Sequence, residues 1–171
     1  MDTTEPGPDT EWNEWGPMVR VRVDAAPVMI LARTLDDPNP VYSSEVAAAA
    51  AGFERVPAPP TFTFVMAHSG TFPDLQPDGV TGGLFGRGAD ADAGADMSRR
   101  GLYLHGEQHF TYHRQPLVGD VLEGRMRVSR PVARQARRGP MEVTFFQTEW
   151  RAVDGARVVT EQIVSLFFPE N

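Results

Sequence analysis

The 171-residue sequence contains no cysteine and no lysine. Without cysteine, disulfides, thiolate metal sites and a cysteine nucleophile are all excluded. The sixteen basic residues are all arginines, and 23 acidic residues leave a net charge of -7. Binding to a nucleic-acid backbone needs a basic face. We therefore expect no nucleic-acid partner.

Long apolar runs are also missing. No segment approaches the roughly 20 apolar residues of a membrane span, and the first 20 residues are acidic and proline-bearing, unlike a signal peptide. Hydrophobic residues make up 41% and charged residues 23% of the chain, as in ordinary globular proteins. These features predict a cytoplasmic protein with no membrane association.

The chain divides into a tail and one domain. Residues 1-15 are acidic and rich in Pro and Thr, which is typical of a flexible tail. Residues 16-171 are long enough for a single domain with a substantial core. Within that domain, residues 72-100 shift to Gly, Asp and Pro, which predicts a long loop that shapes access to a site.

Hydrophobic periodicity predicts an α+β domain. Helical spacing and proline or glycine boundaries indicate three helices, the last of them short, buried and apolar, and alternation indicates five strands. A sheet of long antiparallel strands wrapped around one buried helix is the hot-dog fold. The predicted helices are 25-35, 47-51 and 61-69, and the predicted strands are 18-23, 102-113, 121-130, 141-152 and 158-168.

A rigid polar turn precedes the second helix. Asp37, Pro38, Asn39 and Pro40 are followed by Val41 and Tyr42, and the two prolines prevent this stretch from extending a helix. The short side chains of Asp37 and Asn39 suit a turn, and they would also suit a catalytic site beside it. From the residues alone, the turn is the simpler interpretation.

The order of these parts resembles the MaoC-like hydratases and dehydratases, whose signature reads Asp-x-Asn-Pro-x-His. Residues 58-62, Ala-Pro-Pro-Thr-Phe, resemble the start of the central helix in that superfamily. The stretch from His105 to Arg114, with Pro116-Leu117 and Gly119-Asp120, resembles the N-terminal MaoC or fatty-acid-synthase-like dehydratase branch. Gln115 departs from that pattern by one residue.

The resemblance implies R-specific hydration or dehydration of an acyl thioester carried on coenzyme A or acyl carrier protein. In active members, an aspartate and a histidine act on the water as general base and acid. A backbone N–H at the start of the central helix stabilises the enolate oxygen. By position, Asp37 and Asn39 match the signature, and Pro60, Thr61 and Phe62 line the substrate end of the helix.

Two positions depart from this pattern. Tyr42 stands where the histidine is expected, and a phenol with a pKa near 10 is a poor proton shuttle at neutral pH. Pro60 replaces the glycine whose N–H would stabilise the enolate, and proline has no N–H. We therefore predict the non-catalytic half of a hydratase or dehydratase, paired with a MaoC-like catalytic subunit.

Two alternatives stay open. The first is a self-sufficient homodimer that uses Asp37 with His105 or Glu107, since strand alternation would put His105, Glu107, His109 and His113 on one face. The second is a non-enzymatic protein that binds acyl thioesters. In every version we expect dimerisation into a double hot dog, with an identical or a different partner, because a lone unit leaves a sheet edge open. No cofactor and no metal are predicted.

Overall fold

The computed structural model describes residues 5-68 and 99-170. Within these residues the chain forms three α-helices, one short 3-10 helix and six β-strands. The helices are α1 (Ala25–Thr34), α2 (Glu45–Ala50) and α3 (Phe62–His68), with the 3-10 helix at Pro40–Tyr42. The strands are β1 (Val19–Arg22), β2 (Gly101–Tyr112), β3 (Val121–Val128), β4 (Val132–Ala136), β5 (Gly139–Ala152) and β6 (Arg157–Pro169).

All strands join one antiparallel sheet in the order β1-β3-β5-β6-β2, and β4 pairs with β5 beside this path. The β5–β6 hairpin turns at Asp154 and Gly155, where Gly155 has a φ of 87°. The Asp154 carboxylate accepts a hydrogen bond from the N–H of Ala156 at 3.0 Å. This Asp-Gly turn is therefore made by the residues that turn geometry demands.

The two sides of the sheet have different cores. The helix-facing side packs against α3 through Phe62, Met66 and Ala67, together with Trp150 of β5 and Val159 of β6. These residues are all at most 3% exposed. The sheet thus wraps around one buried apolar helix, and the predicted hot-dog fold is confirmed.

The outer side of the sheet carries a smaller core of Met141, Val143, Phe145 and Val164. Trp12 packs on this core, and the guanidinium of Arg127 stacks over the Trp12 ring at 4.4 Å. The segment around Trp12 also follows the backbone of β3, since the N–H of residue 13 donates to the carbonyl of Val128. Trp12 therefore packs against the domain.

All three predicted helices and all five predicted strands are present, with ends shifted by at most two residues. β4 was not predicted, because its short sequence Val-Ala-Arg-Gln-Ala lacks apolar alternation and its pairing with β5 is a backbone interaction. Ile30 of α1 and Leu35, which follows the helix, are 59% and 57% exposed. Most of the predicted loop at 72-100 lies outside the described residues.

Candidate functional site

The turn after α1 uses its polar side chains to fix its own backbone. Asp36 adopts a left-handed φ of 53° and ends the helix. The Asp37 carboxylate then accepts a hydrogen bond from the N–H of Asn39 at 3.0 Å. The Asn39 side-chain oxygen accepts one from the N–H of Val41 at 3.1 Å and caps the 3-10 helix. Asp37 and Asn39 are therefore turn-forming residues, as the simpler interpretation held.

Tyr42 lies beside this turn and packs against the main core. Burial, followed by the negative charge of Asp37, raises the pKa of its phenol above the usual value. The hydroxyl is therefore protonated over the whole physiological range. It can form hydrogen bonds near the Asp37 carboxylate, but it cannot alternate between charge states as a histidine does.

The backbone that leads into α3 is clamped by the turn between β2 and β3. The N–H of Ala58 donates to the carbonyl of Pro116 at 2.9 Å, and the Gln115 amide donates to the carbonyl of Ala58 at 2.7 Å. Gln115, the one-residue departure from the family pattern, is thus a structural clamp on the segment before the helix.

Asp120 is the charged centre of this clamp. Its carboxylate, 7% exposed, accepts hydrogen bonds from Arg55 and Arg114, each at 2.6 Å, and from the N–H of Leu117 at 3.1 Å. Burial alone would raise the pKa of Asp120, but these hydrogen bonds outweigh burial and lower the pKa below its usual value. The ionised carboxylate therefore holds the two segments together.

The start of α3 offers no glycine N–H as a hydrogen-bond donor. Pro60 has none, and the next residue, Thr61, adopts a left-handed φ of 68°. The Thr61 N–H donates to the Tyr112 hydroxyl at 2.9 Å. The first backbone N–H after Pro60 is therefore already engaged within the chain, while Phe62 points into the core and is 3% exposed.

A β-bulge separates the other predicted site residues. His105 pairs with Ser165 but Glu107 pairs with Val164, so Gly106 is an extra residue in β2. Cross-strand partners share a face of the sheet, which puts His105 on the helix-facing side and Glu107 on the outer side. The prediction that His105 and Glu107 share one face is therefore wrong.

Each of these side chains has a different neighbour. The His105 ring contacts Phe64 of α3 edge-on, with ring centroids 6.3 Å apart. On the outer side, Glu107 and His109 are 3.0 Å apart. His105 therefore lies near the central helix, whereas Glu107 lies on the opposite side of the sheet.

One ionisable residue was missed by the sequence analysis. Glu161 of β6 is 2% exposed and lies beneath α3, where its carboxylate accepts a hydrogen bond from the Trp150 indole at 3.0 Å. Burial raises the pKa of Glu161 to about 7, and the hydroxyl of Thr63 and the Trp150 indole lower it only in part. The sequence signal for its burial was its position two residues after Val159, because residues two apart in a strand lie on the same face.

The described parts of the chain contain no group of three or more His, Asp or Glu side chains that could hold a metal ion. In the same parts, every helix is too short to cross a bilayer.

The family model for the FAS1-like dehydratase domain region matches residues 14-161. The chain belongs to the FAS1-like dehydratase family. Among curated relatives of this FAS1-like protein, a UPF0336 protein of Streptomyces avermitilis is 36% identical over 91 residues, which cover 53% of this chain and 50% of the relative. A UPF0336 protein of Clavibacter michiganensis is 36% identical over 118 residues, which cover 65% of this chain and 68% of the relative. The chain spans about half the length of the first of these relatives.

Solved structures share the fold of this FAS1-like protein at low identity. The 3R-hydroxyacyl-ACP dehydratase complex HadBC of Mycobacterium tuberculosis superposes with a TM-score of 0.61 at 21% identity, covering 88% of this chain and 95% of that one. The ChsH1-ChsH2 complex of the same organism superposes with a TM-score of 0.65 at 22% identity, covering 94% of this chain and 86% of that one. The (R)-hydratase of A. caviae superposes with a TM-score of 0.53 at 18% identity, covering 93% of this chain and 98% of that one.

Proposed function

We propose that this chain is the non-catalytic hot-dog subunit of an R-specific enoyl-thioester hydratase or 3-hydroxyacyl-thioester dehydratase. Its substrate would be an acyl thioester of coenzyme A or acyl carrier protein, and a MaoC-like partner would supply the catalytic Asp and His. The observation that carries the proposal is the neutral phenol of Tyr42 beside Asp37, where the family places an acid/base pair.

The remaining geometry supports the same conclusion. Hydration needs a base that can lose and regain a proton near neutral pH, and a phenol with a raised pKa does not meet this need. The enolate also needs a free, aligned N–H donor. The Thr61 N–H is used by Tyr112, so substrate would have to displace a hydrogen bond already present.

An open sheet edge supports a partner subunit. Within the described residues, β2 pairs only with β6, so twelve residues of one strand leave their other backbone edge without a strand partner. Leu102 and Leu104 on this strand are 44% and 39% exposed. Long apolar edge strands are normally covered, and both HadBC and ChsH1-ChsH2 are complexes by name.

The test is hydration of crotonyl-coenzyme A, followed by loss of the enoyl absorbance. We expect no turnover by the purified chain and turnover after addition of a MaoC-like subunit with an intact Asp-x-Asn-Pro-x-His. A partner variant with that histidine changed to alanine is the matched control and should abolish turnover. Full activity of this chain alone would contradict the proposal.

The second candidate is a self-sufficient homodimer that uses Asp37 with His105. It is favoured by one observation: the His105 ring lies on the helix-facing side, against Phe64. If the chain alone is active, His105→Ala should abolish turnover with the fold intact, whereas Glu107→Ala should not, because Glu107 lies on the outer side. Thermal stabilisation by an acyl-coenzyme A without turnover, with or without a partner, would instead indicate the binding-protein alternative.

A further inference from the structure

The hairpin between β4 and β5 carries arginines without acidic partners. Residues 130-141 contain four arginines and no acidic residue, although the whole chain has a net charge of -7. Three of these arginines, Arg134, Arg137 and Arg138, are exposed and form no salt bridge within the described residues; we call them the arginine hairpin. Elsewhere, arginines form salt bridges with acidic side chains at Arg20, Arg55, Arg99, Arg114, Arg125 and Arg151.

The acidic residue that follows the hairpin does not neutralise it. Glu142 is the first acidic residue of β5, and its two carboxylate oxygens accept hydrogen bonds from Arg99 at 2.6 and 2.8 Å. Arg130, the fourth arginine of the stretch, is itself paired with Glu11 at 3.2 Å. The positive charge of the arginine hairpin therefore faces solvent.

The sequence of the hairpin does not suit its local structure. Arg137 and Arg138 are the two loop residues, because Ala136 pairs with Gly139. Two-residue hairpin turns prefer Asn, Asp and Gly, and neighbouring like charges repel each other. None of the five residues of β4 is buried, so the hairpin gains little packing in return. Such departures from local preference are expected at functional positions.

Within one chain, the arginine hairpin lies far from the start of α3. Arg99, which binds Glu142 of β5, comes just before Gly101, the first residue of β2. Tyr112, the last residue of β2, holds the Thr61 N–H at the start of α3. A strand of twelve residues separates the two places by roughly 35 Å.

A partner at the open edge of β2 shortens this distance. Two homologous subunits that continue one sheet about a twofold axis pair their edge strands antiparallel. The Gly101 end of β2 then lies beside the far end of the partner's edge strand, where the partner's central helix starts. That place is four strand spacings, or roughly 20 Å, from the arginine hairpin. A single small domain, with a radius of gyration of about 13 Å, can contact both.

We propose that the arginine hairpin docks an acyl carrier protein through acidic side chains on its surface, so that the carried acyl chain enters the active site of the partner subunit. This inference rests on the proposed function and names the carrier, which that function leaves open. Exposed guanidinium groups on a protruding turn suit an acidic protein surface, because they attract it over a distance and fix its orientation. Small ligands such as coenzyme A instead favour concave sites with converging polar groups.

Binding of crotonyl-acyl carrier protein tests the docking directly. The carrier protein is fluorescently labelled, and anisotropy gives its Kd for the full chain, alone and mixed with a MaoC-like subunit. Arg137→Glu combined with Arg138→Glu should weaken binding by roughly tenfold and reduce its dependence on salt, because charges that steer association are reversed. Arg22→Glu combined with Arg157→Glu is the matched control. Both of these arginines are exposed and lie outside the hairpin, so the same change in charge should affect the Kd far less.

Each other outcome overturns the proposal. One is no binding of the carrier protein, or an equal Kd for the wild type and the hairpin variant. Another is weaker binding of crotonyl-coenzyme A alone, which would assign the hairpin to the phosphates of coenzyme A. A third is a change in oligomeric state alone, seen by size-exclusion chromatography, which would assign it to a second copy of this chain.

The binding assay involves no turnover, so its failure is distinguishable from failure of the proposed function. Hydratase activity of the chain alone would contradict the non-catalytic role and leave a measured docking intact. Loss of docking would leave the non-catalytic role intact.

Discussion

Glu161 should make the stability of this protein fall as pH rises from about 4.5 to about 7. One pKa unit corresponds to about 1.4 kcal/mol, and burial raises the pKa of Glu161 from 4.5 to about 7. The folded state therefore holds a proton that the unfolded state has released, and its stability decreases between these two values. The total loss is about 3 kcal/mol by pH 8.

Glu161→Gln tests this magnitude directly. The amide matches the neutral acid in shape and can still accept the Trp150 hydrogen bond, but it does not ionise. The substitution itself can add an offset to the free energy of unfolding that is the same at every pH. Beyond that offset, we expect the free energies of unfolding of the variant and the wild type to differ by less than about 1 kcal/mol at pH 5. By pH 8 the variant should have gained about 3 kcal/mol relative to the wild type. The assay is urea unfolding followed by tryptophan fluorescence at fixed protein concentration.

Glu54→Gln is the matched control, because Glu54 is exposed and the substitution makes the same chemical change at the surface. The reasoning would be refuted if Glu161→Gln changed stability by the same amount at pH 5 and at pH 8. That result would mean that Glu161 is ionised in the folded protein and that its carboxylate has partners sufficient to offset its burial.

Gly124→Ala should lower the free energy of unfolding by about 1–3 kcal/mol, because a Cβ there would lie 2.5 Å from the Trp150 ring. Differential scanning calorimetry measures this loss, and an unchanged Tm would contradict the prediction. Asp120→Asn should cost about 2 kcal/mol at pH 7, after allowing for its half-exposed arginine partners. The difference from wild type should shrink as pH falls through the lowered pKa of Asp120, which urea titrations at pH 3 and pH 7 would check. Tyr112→Phe should cost about 1 kcal/mol by removing the acceptor for the Thr61 N–H, and faster hydrogen exchange at that amide would be its specific sign.

The fold was predictable because its signals are local. The alternation of β3, β5 and β6, the Asp-Gly turn and the prolines before α3 all agree with the final structure. The turn at Asp37 and Asn39 was equally readable, since those side chains bond to the backbone two residues on.

The site was less predictable because its decisive contacts are long-range. Nothing near Gly106 in the sequence shows that one residue of β2 is unpaired, since that depends on the register with β6. The engagement of the Thr61 N–H by Tyr112 likewise joins residues fifty-one positions apart. Glu161 was missed because alternation alone does not say which face of an isolated strand meets the helix.

The bulge at Gly106 divides β2 into two halves, and the alternation of side chains between the two faces of the sheet is offset by one residue from one half to the other. Before it, Leu102 and Leu104 pair with outer-side residues of β6; after it, Phe110 and Tyr112 pair with helix-facing ones. Because Gly106 has no partner in β6, its deletion would leave every other pairing of the two strands in place. Deletion of a paired residue on either side would instead turn one half of the strand over, bringing the exposed leucines towards the helix or withdrawing Tyr112 from it. Gly106 is therefore the one position of β2 at which a one-residue deletion keeps the faces of both halves, and in divergent sequences a gap should be placed there.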